Sequence, residues 1–271
     1  MRFSYIKRIP QNKQAYIHLK PLNWAVGHEI LYYLDNPSEG EKSALEAVLK
    51  EISYICNISF KEVERNLSEI RIGFVRGIGS WSTLGTDALR VIKGQNTMNF
   101  GWDVSRDSGV IRHEIGHALG LLHEHLHPND VPQWNKEVIY SDLARIGWSK
   151  EQVDFNLFEI PEGVTHSSFR DRNSVMHYIM PASWTFNNAV INKNEVFSAN
   201  DIIGLQKLYP NELNPIEIVN KHKEALKTIY NDLTAPSLLK STHKRVAYLV
   251  GVSTEGKERT IIHNIKTKLN V

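Results

Sequence analysis

Cysteine is almost missing from this chain: among 271 residues only Cys56 carries a thiol. An intramolecular disulfide framework is therefore excluded, and the fold has to stand on its apolar core. Long hydrophobic runs are missing as well. No stretch approaches the roughly 18 to 20 consecutive apolar residues that a membrane span needs, so none is expected. Met1 to Tyr16 holds basic residues but no apolar run of about 7 to 15 residues, and no Sec signal peptide is expected there. Neither sign of charge dominates: 32 Lys and Arg stand against 30 Asp and Glu, a net charge of +2. Blocks of like charge are absent, which argues against a nucleic-acid partner. Repeats and low-complexity tracts are absent too, and a monomer is the default expectation.

What is there is enough apolar material, 41 per cent of the residues, for one sizeable domain with an appendage. Ile30 to Asp35 is a short apolar run closed by the turn residues Asn36, Pro37 and Ser38, which predicts a strand. Glu41 to Cys56 places Ala44, Val48, Ile52 and Ile55 at helical spacing. Ile70, Ile72 and Phe74 alternate with Arg71 and Gly73, the period of a second strand, and Thr97 to Trp102 is a further candidate strand. A helix begins at Ser108, capped by Asp107 or Ser108, with Val110, Ile111, Ile115, Ala118 and Leu119 as its buried stripe. Pro128 to Asn188 reads as irregular apart from a helical piece at Lys136 to Arg145. Phe197 to Leu208 reads as a last helix with Ser198 at its N-cap. The class is α+β: an N-terminal mixed sheet with helices, then an irregular C-terminal subdomain.

The chain divides into an N-terminal segment, 1–24, a main unit, 25–212, and an extension, 213–271. The extension carries ten Lys and Arg against five Asp and Glu. Ile216 to Tyr230 within it has helical spacing, and Pro210 to Pro215 reads as a linker.

The chemistry lies in the run His113, Glu114, Ile115, Gly116, His117, Ala118, Leu119, Gly120, Leu121, Leu122, His123. Residues four apart share one face of a helix, so His113 and His117 can aim their imidazoles at one ion. Gly120 can adopt a positive φ, end the helix and let His123 return as a third ligand. Three protein ligands leave one position open, the layout of a catalytic rather than a structural zinc site. Glu114 is placed beside the first ligand as a general base and acid. At this chain's composition the whole pattern arises by chance about once in ten thousand such sequences. Zinc held by three neutral imidazoles lowers the pKa of its water from about 16 to about 7, which suits peptide hydrolysis.

This pattern, followed by Ser174, Val175, Met176, His177 and Tyr178, resembles the metzincin signature and its methionine turn. Within that group it is most similar to the astacin family, whose third His is followed by Glu, as His123 is by Glu124, and whose turn reads S-x-M-H-Y. The stretch Leu126 to Asp130 resembles the bacterial members more than the animal ones.

The resemblance implies a metzincin-type fold over about residues 25 to 212 and a zinc endopeptidase acting on protein or peptide substrates, with one zinc per chain. It implies Met176 as the apolar base beneath the metal. It also implies Tyr178 as a switchable fifth ligand whose hydroxyl steadies the tetrahedral intermediate. Gly79, Ser80, Trp81, Ser82, Thr83 and Leu84 resemble the upper edge strand of the cleft, where an extended substrate pairs by its backbone.

His125, His127 and His177 match no ligand position and read as structural or solvated. The alternative function is a non-catalytic metal-binding interaction module with the same fold. A leaderless, disulfide-free peptidase with a basic tail also resembles effectors that intracellular bacteria such as Legionella inject into host cells, where thiols stay reduced.

Overall fold

The structure is a computed structural model, and it describes residues 4–6, 22–128, 130–160 and 170–211. The expected helix at Ile216 to Tyr230 and most of the linker and N-terminal segment lie outside the described residues. Six strands form one sheet: β1 (Ser4–Ile6), β2 (Glu29–Asp35), β3 (Ser59–Glu62), β4 (Ile70–Gly73), β5 (Ser80–Ser82) and β6 (Met98–Asn99). Their spatial order is β1-β5-β6-β4-β2-β3. All neighbours run parallel except β5 and β6, which are antiparallel.

The helix α1 (Glu39–Ile55) starts two residues earlier than its apolar spacing predicts. The reason is a reciprocal cap: Glu41 N–H donates to Ser38 Oγ, while Ser38 N–H donates to the Glu41 carboxylate. Such a box satisfies donors that a bare helix end leaves open. Ala44, Leu45, Val48, Leu49, Ile52 and Ile55 form its buried stripe. They join Ile30, Ile70, Ile72, Met98 and Phe100 in the main core.

Two expected strands are present but shorter than their patterns. β4 ends at Gly73, and Arg71 does not face water as its alternation with Ile70 and Ile72 suggests; all four residues are buried. The strand lies inside the sheet between β2 and β6, where both faces are covered. Buried guanidinium needs acceptors, and Arg71 donates to the carbonyls of Gln95 at 2.7 Å and Val91 at 3.1 Å. The candidate strand at Thr97 to Trp102 contracts to Met98–Asn99. β1, β3 and a 3-10 turn at Gly85–Arg90 carry too weak a pattern to be seen beforehand.

α2 (Ser108–Ala118) is buried at every position and capped by Asp107, whose side chain accepts from Val110 N–H. Arg112 on this helix is 1 % exposed and ion-paired to Glu51 of α1 at 2.6 Å, locking the two helices together. α3 (Lys136–Ala144), α4 (Lys150–Val153) and a π-turn at Asp154–Phe158 organise part of the region expected to be irregular. Their apolar faces build a second, smaller core from Ile139, Leu143, Val153, Leu157, Tyr178 and Trp184. α5 (Ala199–Leu208) closes the fold behind its N-cap Ser198. Among the described residues, no helix is long and apolar enough to cross a membrane.

Candidate metal centre

The site forms where the two cores meet. Val175 and Met176 belong to the main core, while Tyr178, two residues on, belongs to the smaller one. The turn that carries them therefore passes between both bodies, directly against α2.

α2 must stop in order to bring back a third histidine. Gly120 does this with φ of 93°, a conformation that costs any residue with a Cβ. A side chain there would also stand 2.7 Å from the Asn23 amide oxygen. The helix's last carbonyls, left open by its end, are satisfied from the two ends of the described fold. Trp24 Nε1–H donates to Ala118 O at 2.8 Å, and the Tyr209 hydroxyl donates to Leu119 O at 2.7 Å.

The result is a tripod. His117 Nε2 lies 3.1 Å from His113 Nε2 and 3.0 Å from His123 Nε2. Zinc–nitrogen bonds of about 2.0 to 2.1 Å in a tetrahedron require ligand nitrogens about 3.3 Å apart, so these three fit one zinc ion. Among the described residues this is the group of three whose donor atoms lie within 4.8 Å of one another.

Two outer nitrogens fix the rings. His113 Nδ1–H donates to Val175 O and His117 Nδ1–H donates to Leu121 O, each at 2.8 Å. A carbonyl can only accept, so the proton sits on Nδ1 and the Nε2 lone pair faces the metal position. Burial holds the rings in this neutral form: it lowers the pKa of His113 to about 4 and those of His117 and His123 well below the usual value.

Glu114 is fully buried beside the first ligand. Burial, reinforced by the charge of Glu114, pushes the Tyr178 hydroxyl well above its usual range. The Tyr178 ring stacks 6.1 Å from His113 and stands 4.1 Å from His123. Met176 lies beneath the helix: a Cβ on Gly116 would stand 2.5 Å from its sulfur. Met176 O also accepts Glu124 N–H at 3.1 Å, joining the two motif halves a second time.

The three histidines that match no ligand position are structural rather than solvated. His125, His127 and His177 are all buried. His125 Nε2–H donates to Asn156 O at 2.9 Å, and its ring stacks on His123 at 5.1 Å. Glu124, beside them, accepts Asp171 N–H at 2.6 Å.

The segment Gly79 to Leu84 is divided. Ser80, Trp81 and Ser82 form β5, all buried, with Thr83 buried behind them and Gly79 and Leu84 half-buried. This strand is not outermost as expected: β1 pairs with its outer side, Tyr5 opposite Trp81. Sequence reasoning also missed Asp201 and Asn194 as supports of the 174–176 turn. The only trace of Asp201 was the Ser198-x-x-Asp201 spacing of a helix cap.

The sheet, the buried helix with two ligands, the glycine stop, the returning third histidine and the methionine floor together define a metzincin zinc domain. The chain matches the sequence model of the astacin peptidase family over residues 18–210, and it belongs to that family. It is similar to zinc metalloproteinase dpy-31 of Caenorhabditis elegans, 25% identical over 223 residues, covering 76% of this chain and 35% of that protein. It is also similar to zinc metalloproteinase nas-36 of Haemonchus contortus, 34% identical over 92 residues, covering 32% of this chain and 14% of the relative. The chain thus spans about a third or less of the length of the curated relatives it matches. Among solved structures, myroilysin superposes with a TM-score of 0.67 and 34% identity, covering 72% of this chain and 98% of the other. A second myroilysin structure gives 0.57 and 32%, covering 76% and 99%.

Proposed function

We propose that the protein is a zinc endopeptidase that hydrolyses internal bonds of protein or peptide substrates, with residues 25–212 as its catalytic unit. The observation that carries this reading is the convergence of the His113, His117 and His123 Nε2 atoms next to the buried Glu114 carboxylate. When bound, zinc supplies an acidified water and a polarised scissile carbonyl.

The chain's own residues do the rest. Glu114 takes the proton of the attacking water and returns it to the departing amine. Tyr178, whose hydroxyl burial keeps protonated, donates a hydrogen bond to the oxyanion as charge develops. Met176 and Gly116 hold the floor in close contact, and Val175 O and Leu121 O hold two rings in register. An extended substrate pairs its backbone along Gly79 to Leu84, which requires β1 to give way there. A non-catalytic module would have no use for a buried carboxylate and a buried phenol at the same tripod.

Work in a thiol-reducing compartment, as an exported effector, fits the same reading. The lone Cys56 is buried, and burial pushes its thiol up to about 12, so it needs no oxidation and resists it. A reporter fused to residues 213–271 that stayed in the donor cell would contradict export.

The activity itself is tested with casein and an internally quenched peptide. Cleavage should vanish after dialysis against a chelator and return with about one equivalent of zinc. Cleavage indifferent to the chelator would overturn the reading.

A further inference from the structure

Asp201 is the first-turn carboxylate of α5 and is buried at 7 % exposure. It does two separable things. Toward its own helix it completes the cap: Ser198 N–H donates to Oδ2 at 2.9 Å, and Asp201 N–H donates to Ser198 Oγ at 3.0 Å. Toward the metal centre it reaches across to the turn on the far side of the chain. Ser174 Oγ–H donates to Oδ1 at 2.6 Å, and Val175 N–H donates to Oδ2 at 3.0 Å.

Of those two, Val175 holds the first ligand and Ser174 shapes the turn that carries Val175 and Met176. Ser174 Oγ in turn accepts Met176 N–H at 3.0 Å, which closes the turn on itself. Asn194 steadies the same turn by donating to Ser174 O at 2.9 Å. Val175 O then receives the Nδ1–H of His113. A continuous line of hydrogen bonds therefore runs from α5 through Asp201 and Val175 to the ring that presents its lone pair to zinc. A plain helix cap requires only the first pair of contacts; the second pair has no use in capping.

We propose that Asp201 is a positioning residue for the metal, fixing the orientation of His113 through the Val175 carbonyl and the height of the Met176 floor through Ser174. This rests on the zinc-peptidase reading of the tripod. Outer partners of metal-binding histidines change metal affinity by about 10- to 100-fold when removed, and the effect here should fall on zinc release rather than on folding alone.

The test separates the two roles by substitution. Ser174→Ala removes the arm from Asp201 through Ser174 Oγ to the Met176 turn, keeps the Asp201–Val175 contact, and leaves the cap of α5 intact. Ser198→Ala weakens the cap and leaves Ser174, Val175 and the Asp201 carboxylate in place. Asp201→Asn keeps an acceptor oxygen and should fall between wild type and Asp201→Ala. The readouts are the rate at which bound zinc passes to a chromophoric chelator and the thermal midpoint of the same zinc-loaded samples.

The expected result is about tenfold or faster zinc release from Asp201→Ala, which loses both arms, and a smaller rise above wild type from Ser174→Ala, which loses one. Ser198→Ala should release zinc within about twofold of wild type despite a lowered midpoint. Release rates that merely track the midpoint across all variants, or that stay at the wild-type value in Ser174→Ala and Asp201→Asn, overturn the proposal while wild type still binds zinc. A wild-type protein that takes up no zinc sinks the peptidase reading first and this proposal with it.

Discussion

The sulfur of Met176 lies so close to the bare backbone of Gly116 that a single added carbon would stand 2.5 Å from it. The contact crosses from the turn to the helix, between His113 and His117 in sequence, and it sets how near the floor comes to the ligands. Gly116→Ala must push the sulfur, the helix or both. Overpacking of this kind costs about 1 to 3 kcal/mol and should loosen zinc as well. Shortening the opposing side chain relieves the clash, so Gly116→Ala with Met176→Ala should be less harmful than the sum of the two. Calorimetry and zinc content of the four proteins in that cycle measure the coupling; strict additivity would show that the contact is idle.

β1 occupies the outer side of β5, where Ser4, Tyr5 and Ile6 stand opposite Ser80, Trp81 and Ser82. A peptide that adds to β5 by its backbone needs those same groups. Removing residues 1–8 should raise kcat/KM for long, extended substrates by about threefold or more. A dipeptide-sized substrate, too short to use the strand, should show little change. Equal kinetics for both proteins on the long substrate would place substrate pairing elsewhere.

The zinc ligands were legible because their geometry is local. A four-residue step on a helix and a glycine stop leave His113, His117 and His123 few ways to sit apart, and the structure brings them together. The helices α1, α2 and α5 were legible for the same reason, through apolar spacing and, for the last two, the caps Asp107 and Ser198; the cap at Ser38 reads in the sequence as part of a turn. What escaped was set by distant parts of the chain. β1 is three residues long and exists as a strand through its pairing with β5. Arg71 alternates like a solvent-facing residue, yet loop carbonyls 20 and more positions away receive it. Leu121 and Val175 act through their backbone carbonyls, for which no residue type is a signal. The burial of His125 depends on a π-turn more than 25 residues downstream.

Glu124 offers a pH signature. Burial, with Asp201 and Asp171 nearby, pushes its carboxyl from the ordinary 4.5 up to about 7, against the pull of the Asp171 N–H. Below pH about 4.5 the group is protonated in both the folded and unfolded chain and contributes nothing. Between that value and about 7 the folded chain holds a proton that the unfolded chain has released, so stability falls as pH rises. Glu124→Gln cannot ionise, while its amide oxygen still accepts from Asp171. The thermal midpoint of the variant minus that of wild type should therefore climb from pH 5 to pH 7 and level off above. A difference that is flat across that range would mean the carboxylate is not destabilised by its surroundings. Titrations shared by both proteins, including those of the histidines, cancel in the comparison.

In the proposed reaction three imidazoles hold zinc while the neighbouring carboxylate moves the proton. Measuring zinc content and peptide cleavage on one preparation of Glu114→Gln tests it most directly. The variant should hold about one zinc per chain, as wild type does, with kcat lowered about 100- to 10 000-fold. Wild-type turnover by the Gln variant, or a variant that loses its zinc along with its activity, would contradict it.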